Sequence, residues 1–404
     1  MLAWCLFDFA NSSYSAVITT TVFSVYYARV IVGNEAGLGD LWWGRAISAS
    51  MIAVALTGPV LGAVADRSGL RKRFLATFTT LCIASVALFP TLEPGMILTG
   101  FALAALANFG FEAAQIFYNA YLLDIVSATR RGFVSGLGFG IGYLGSVAGL
   151  LLALPLVKAG QFHLVWLSVA AFFAVFALPA FLWLPKDQVT PGVVPGAARG
   201  AVLRFWNLAR DVRARPDLRR FLLAFFVYLD GVETTIYFSG IYASSTLGFT
   251  TPEVIRLFLA VQLSALVGAL VMAKPTDRWG PKRVVTISLL LWIGVVAGAY
   301  VVTSKAAFAT VAVTAGLGLG VIQAASRALM ASLIPAGKEA ELFGFYAMVG
   351  KSSAVLGPLV FGTVSHAMAG NQRAAVLAVG VFFVVGLVLL QRVVAAPASA
   401  PSRS

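Results

Sequence analysis

The chain has 404 residues, of which 60% are hydrophobic and only 11% charged, with a formal net charge of +13. A soluble domain is about 45–50% apolar and about 25% charged, so this composition excludes a single aqueous core and reads as a polytopic membrane protein with the lipid bilayer as its solvent. The basic excess does not indicate nucleic acid, because the Lys and Arg residues collect in alternate loops, as membrane topology demands.

Apolar runs that cross a core of ~30 Å need about 20 residues each. Twelve are predicted, all helical: 4–32, 43–65, 73–92, 95–123, 132–157, 163–184, 218–246, 253–274, 283–303, 306–333, 342–366 and 373–395. The start, Met1 to Cys5, has no basic stretch before a small-residue cleavage site, so the first run is expected to stay in the chain. Run 5 carries Gly136, Gly138, Gly140, Gly142, Gly145 and Gly149, and run 11 carries Gly344, Gly350, Gly357 and Gly362. Small residues at such spacing let helices approach closely in lipid. The Gly136-x-Gly138-x-Gly140 pattern lies inside a membrane run and follows no strand, so it is not a nucleotide fingerprint. Pro358 is expected to kink run 11.

Basic residues crowd the loops after runs 2, 4 and 8, as Arg67, Arg71, Lys72, Arg73, Arg130, Arg131, Lys274, Arg278, Lys282 and Arg283. The segment from Lys186 to Arg220 holds eight more against three acids. The positive-inside rule then predicts a multi-pass protein of the cell inner (plasma) membrane with both termini cytoplasmic. The expected domains are 1–184, a six-helix bundle, 185–217, a cytoplasmic linker, and 218–404, a second six-helix bundle. Within the linker, Val202, Phe205, Trp206, Ala209 and Val212 recur at helical spacing against Arg204, Asn207, Asp211 and Arg215, an amphipathic helix suited to the inner leaflet.

One short turn occurs twice. Gly62, Asp66, Arg67, Gly69, Arg71 and Lys72 follow run 2; Asp277, Arg278, Gly280, Lys282 and Arg283 follow run 8, with Asp66 and Asp277 211 positions apart. Repetition at half the chain length marks two similar halves. The first copy is a candidate cytoplasmic gate, its acid complementary to the N-terminus of helix 11. The second is weaker, with Ala273 where a glycine is expected and Pro281 intruding.

Twelve helices in two repeats, with Asp-Arg-x-Gly-x-basic-basic after helix 2 and a variant after helix 8, resemble the major facilitator superfamily. Four stretches are similar to a narrower group, the autophagy-related vacuolar amino-acid effluxers and their bacterial relatives. They are Trp4 to Tyr14, FYNAYLLDI at 117–125, FLLAFFVYLDGVETTIYFSGIY at 221–242, and IQAASRALMASLIPAGKEAELFGFYAMVGKSSAVLGPLVFG at 322–362. The resemblance implies an all-α fold of two pseudo-symmetric six-helix halves, with helices 1, 4, 7 and 10 lining a central cavity.

Spacing alone places polar faces on those four helices. Helix 1 has Asp8, Asn11, Ser12 and Ser15; helix 4 has Asn108, Glu112, Gln115 and Asn119; helix 7 has Asp230, Glu233, Thr234 and Tyr237; helix 10 has Gln323 and Arg327. Lys351 on helix 11 adds a charge, and Tyr14, Tyr118 and Tyr121 are either cavity walls or interface anchors. An ionisable group in hydrocarbon costs about 2.5–3.5 kcal/mol, so each is a functional candidate. Counting rise per residue predicts two layers: Asp230, Glu233 and Lys351 at the midplane, with Asp8, Glu112 and Arg327 nearer the cytoplasm.

Two readings of these layers stand. Either an acid among Asp230, Glu233 and Glu112 loads a proton while Arg327 or Lys351 holds a substrate carboxylate, or the groups form fixed pairs such as Glu112–Arg327. The expected protein is a monomeric alternating-access transporter for a small molecule, coupled to an ion, the proton first. The resemblance implies an amino acid as substrate; a drug or metabolite exporter and a non-transporting sensor or lipid scaffold are the alternatives. No Walker motif, catalytic triad or metal-ligand cluster occurs, so no enzyme activity, cofactor or metal is expected.

Overall fold

A backbone in hydrocarbon must satisfy its own hydrogen bonds, and this chain does so with helices alone among the described residues. The computed structural model describes residues 1–126, 131–185, 206, 208–335 and 338–394; within these, the side chains at 59, 63, 66–68, 123–124, 131–133, 135–136, 139, 273–274, 277 and 339–341 lie outside the description. The helices that cross are α1 (Leu2–Val32), α2 (Leu38–Ser68), α3 (Arg71–Ala87), α4 (Ile97–Ile125), α5 (Arg131–Lys158) and α6 (Phe162–Trp183). They continue with α7 (Pro216–Leu247), α8 (Thr251–Val271), α9 (Pro281–Val301), α10 (Lys305–Leu333), α11 (Glu339–Ser353 and Leu356–Ala367) and α12 (Gln372–Gln391). Eleven of the twelve are long and apolar enough by composition to span a membrane. The other, α2, is 31 residues long, which at ~1.5 Å per residue exceeds the bilayer core. Each of the twelve predicted runs has its helix.

Packing repeats between the first six helices and the last six. α1 lies on α5 and α6, α4 on α2 and α3, and α3 on α6; α7, α10 and α9 repeat this with α11, α12 and α8. Across the seam, α2 packs on α11 and α5 on α8, a pair of contacts that exchange under the same symmetry. The α5 glycines serve the first half from within. A Cβ at Gly145 would strike the Phe9 carbonyl, and one at Gly149 would sit 2.8 Å from Ser13 Cβ, so α1 and α5 touch backbone to backbone.

Two helices depart from regular α geometry. In α1, Ser15–Thr21 and Tyr27–Val32 are π-helical. Thr19 and Thr20 both donate to the Ser15 carbonyl at 2.8 Å, and Thr21 to Ala16 at 2.6 Å, which satisfies oxygens that the wider turn loosens. The Thr20 carbonyl then faces Gly240 on α7, where a Cβ would collide. In α11 the expected kink is a full break at Ala354 and Val355, three residues before Pro358.

Both copies of the repeated turn close on glycine with positive φ, Gly69 at 62° and Gly280 at 84°. Lys72 donates to the Leu184 carbonyl at the end of α6 (2.8 Å), and Lys282 to the Gln391 and Val393 carbonyls at the end of α12 (3.1 and 2.6 Å). Each lysine thus caps the last helix of its half. The 211-residue offset of Asp66 and Asp277 would match Lys72 with Arg283; the caps match it with Lys282 instead. The second turn has no counterpart of Leu70, because Pro281 starts α9 directly after Gly280. A Cβ at Gly62 would lie 3.9 Å from Ile116 on α4, and Arg71 lies 5.7 Å from the Tyr121 ring centroid. Arg278 is exposed in a short helix, Ala273–Trp279. The side chains of Asp66, Arg67 and Asp277 lie outside the described residues. In the linker, Val202, Phe205 and Asn207 do too; Val212 is buried and Trp206 is 63% exposed.

Candidate functional site

The polar faces of α1, α4 and α7 meet Lys351 of α11 between the two halves. Glu112 is at the middle of Ile97–Ile125, where its Oε2 accepts a 2.6 Å hydrogen bond from Lys351 Nζ; the two side chains are 7% and 35% exposed. This ion pair joins the first six helices to the last six. Glu233 of α7 interacts electrostatically with both Glu112 and Lys351. Asp8 of α1 lies within electrostatic reach of Lys351 and interacts with the side chain of Asn11 one turn on. One carboxyl is thus bonded to the Lys351 ammonium, and two more, from two other helices, lie within its electrostatic reach.

Aromatic and amide side chains enclose this layer. Tyr14 is buried, its ring 4.9 Å from Phe111. Tyr237 interacts with Asn108 across the seam, and Asn108 Nδ2 donates to Ser50 Oγ at 2.7 Å. Tyr118 stacks on Trp4 at 4.6 Å, and Trp4 Nε1 donates to the Tyr118 carbonyl. These tyrosines pack between helices. Toward the termini, Gln115 is half-buried and Asn119 exposed on the same face of α4. On α10, Gln323 is half-buried, and exposed Arg327 lies within electrostatic reach of Tyr143 and Tyr346.

Three expectations change. Asp8, expected nearer the cytoplasm, lies within electrostatic reach of Lys351. Glu112 belongs to the central layer and pairs with Lys351, where the sequence suggested Arg327. From their helix starts, Arg327 lies about seven residues, or ~10 Å, nearer the termini than Glu112. Asp230 also leaves the layer. It is 0% exposed, and its Oδ1 accepts the Gly357 amide at 2.8 Å in the first turn of Leu356–Ala367. Thr234 sits against Gly357 and donates to the Asp230 carbonyl at 2.6 Å. Through that oxygen Asp230 meets the amide end of a helix left open by the break in α11. Glu233, three residues along the same helix, is within electrostatic reach of Lys351.

Sequence reasoning missed Asp40. At the end of the bundle opposite the termini, its side chain accepts from Asn34 (3.0 Å), Ser365 (2.5 Å) and Gln372 (2.9 Å to each oxygen). The predicted run began at 43, which left Asp40 in a loop. Its signal was an acid in the first turn of a helix. Around it Arg29 donates to Ser244 Oγ (2.5 Å), Asn34 to Ser245 (3.3 Å), Trp43 to the Tyr237 carbonyl (3.1 Å) and Ser48 to Val355 (2.7 Å). His366 is hydrogen-bonded through Nδ1 to the Ala36 carbonyl at 2.8 Å. This end of the seam is closed.

Comparison with known proteins fits this geometry. Residues 44–132 and 125–399 match the family described as vacuole effluxer Atg22 like. The chain is 30% identical to an uncharacterised MFS-type transporter, YxiO, of Bacillus subtilis (strain 168), covering 96% of this chain and 93% of that protein. It is 30% identical to autophagy-related protein 22 of Cryptococcus neoformans, over 64% of this chain and 52% of the fungal protein. Among solved structures, a mutant of the nucleoside transporter NupG superposes with a TM-score of 0.73 at 17% identity, covering 96% of this chain and 98% of that one. A D-xylose–proton symporter gives 0.72 at 16%, covering 97% of each. At these identities the structural likeness establishes the fold. The chain belongs to the Atg22-like vacuole effluxer family and is a multi-pass membrane transporter of the major facilitator type, not an enzyme.

Proposed function

We propose that this protein is a monomeric, proton-coupled secondary transporter that moves a small zwitterion, a neutral amino acid in the first instance, by alternating access. The observation that carries the reading is the layer of Asp8, Glu112 and Glu233 around Lys351, set between the two halves. Three carboxyls and one ammonium leave net charge in hydrocarbon unless protons balance it. A zwitterion entering the layer brings a carboxylate for Lys351 and an ammonium for the acids. The Lys351–Glu112 bond is then exchanged for substrate contacts, and Glu233 is the acid placed to gain or lose a proton as the exchange occurs.

The basic loops put the termini and the linker on the cytoplasmic side of the inner membrane. The closed end is then external, and the conformation is inward-facing. Residues 1–184 and 218–404 move as two bodies joined by 185–217, and the turn at Gly62–Lys72 secures the cytoplasmic side when that side closes. The amino-acid assignment draws on the resemblance of Trp4 to Tyr14 and the three later stretches to vacuolar amino-acid effluxers; the layer itself favours any solute carrying both charges.

The test is counterflow in liposomes loaded with one unlabelled solute at a time. Labelled neutral amino acid should accumulate transiently against an amino-acid load. Counterflow with organic cations or sugars, and none with amino acids, contradicts the substrate class.

A further inference from the structure

Asp40 carries a role that the central layer does not. It is 0% exposed in the first turn of α2, and every side-chain hydrogen bond recorded to its carboxylate comes from a neutral donor. The donors divide by half. Asn34 belongs to the same segment as Asp40, and its Oδ1 also accepts the Asp40 amide at 3.1 Å. Ser365 on α11 and Gln372 on α12 belong to the other half. Gln372 is in turn fixed by Thr246 of α7, whose hydroxyl donates to its Oε1 at 2.6 Å. One carboxylate thereby ties α2 to three helices across the seam.

The backbones meet at the same place. A Cβ at Gly362 would lie 2.6 Å from the Asp40 carbonyl oxygen, one at Gly37 would lie 2.9 Å from Ser365, and one at Gly44 would collide with the Pro358 carbonyl. Such contact leaves no space for water while the donors are in place. If the halves part, Asp40 keeps Asn34 and loses Ser365 and Gln372, and water replaces them. A carboxylate hydrogen-bonded in a dry seam and rehydrated on opening holds two discrete arrangements of one interface.

We infer that Asp40 is the latch of the gate at the end opposite the termini: its bonds to Ser365 and Gln372 hold that end shut, and their release is a step of the transport cycle. The latch rests on the alternating-access reading above. Asp40→Asn removes the charge and replaces one accepting oxygen by an NH2 group that confronts the Gln372 donor in either orientation of the amide, so it weakens the latch without changing volume. Gln372→Ala removes the partner from the other half and should act in the same direction.

Ser48 lies deep in this seam, 1% exposed, and Cys82 is buried in the first half away from it. In a Ser48→Cys protein with Cys5→Ser, a membrane-impermeant maleimide is added on the face opposite the termini, and labelling at each site is read by mass spectrometry. Asp40→Asn should raise the labelling rate at position 48 by about tenfold, the response of a two-state equilibrium to losing one or two charge-assisted hydrogen bonds. Gln372→Ala should raise it too, the double variant should add little, and Cys82 should stay unlabelled. Equal rates in parent and both variants, beside intact substrate counterflow, overturn the latch alone. No labelling at position 48 in any protein, together with no counterflow, overturns the alternating-access reading and the latch with it. Equal gains at positions 48 and 82 show general loosening and also overturn the latch.

Discussion

Asp40 and Glu112 are both buried acids that reach from the first six helices to the last six, and they are held in opposite ways. Asp40 sits among neutral donors against touching backbones, with bonds to both of its oxygens. Glu112 is held across the seam by one ammonium that is itself 35% exposed. The first arrangement changes only if the seam parts. The second can change whenever a solute offers Lys351 another carboxylate. Burial alone therefore does not mark a transport residue; what matters is whether the partner can be exchanged. Asp230 and Glu233 teach the same on a single helix, one bonded to the amide end of Leu356–Ala367 and the other within electrostatic reach of Lys351.

The strongest way to break this comparison is Lys351→Met. It leaves Glu112 in hydrocarbon without the lysine that pairs it, and truncating one member of a buried charge pair costs about 2–5 kcal/mol. Counterflow should be lost, and thermal unfolding in detergent should show the protein destabilised; unchanged counterflow removes Lys351 from the substrate path. Next is Gly362→Ala, which pushes a methyl into the Asp40 carbonyl. Overpacking of this kind costs about 1–3 kcal/mol and should appear as a lower Tm with a seam more open to maleimide.

Asp230→Asn sharpens the contrast with Glu233. As a helix-end group it should cost about 0.5–2 kcal/mol of stability, read by thermal unfolding, while the pH profile of transport stays that of the parent. A shifted profile would return Asp230 to the proton path. The smallest effect belongs to the linker, where Lys338 donates to Asp211 at 2.5 Å. That hydrogen bond holds the Asp211 carboxyl below its ordinary range, with the charges of Lys338 and Arg215 adding to it. A depressed pKa contributes attachment that is complete above the ordinary carboxylate value of about 3.9 and lost only as pH falls through the lower folded value. Amide protection factors at 208–213 should therefore be flat from pH 7 to about pH 5, and Asp211→Asn should lower them at all of these values.

Much of the fold was legible because hydrophobic runs of membrane length admit few alternatives. The polar faces of α1, α4, α7 and α10 followed from helical spacing, and Glu233, Glu112, Asp8 and Lys351 were all candidates on sight. The partnership of Glu112 was not legible. Spacing fixes a face but not a depth, and choosing between Arg327 and Lys351 required the starts of α4 and α10. The cap made by Asp230 was hidden for a different reason. It depends on a break at Ala354 and Val355, and Pro358 announced a kink without saying which amides it would free. Asp40 lay outside the predicted run, so its burial could not be suspected. The slip at the second turn came from counting residues where the lysine and the helix end it caps decide the match.

The central claim is that Glu233 carries the proton while Lys351 and Glu112 meet the solute. Its most direct measurement compares parent and Glu233→Gln in proteoliposomes, following solute accumulation under an imposed pH gradient and solute exchange without one. The account predicts that Glu233→Gln loses gradient-driven accumulation and keeps exchange. Gradient-driven accumulation equal to that of the parent would contradict it.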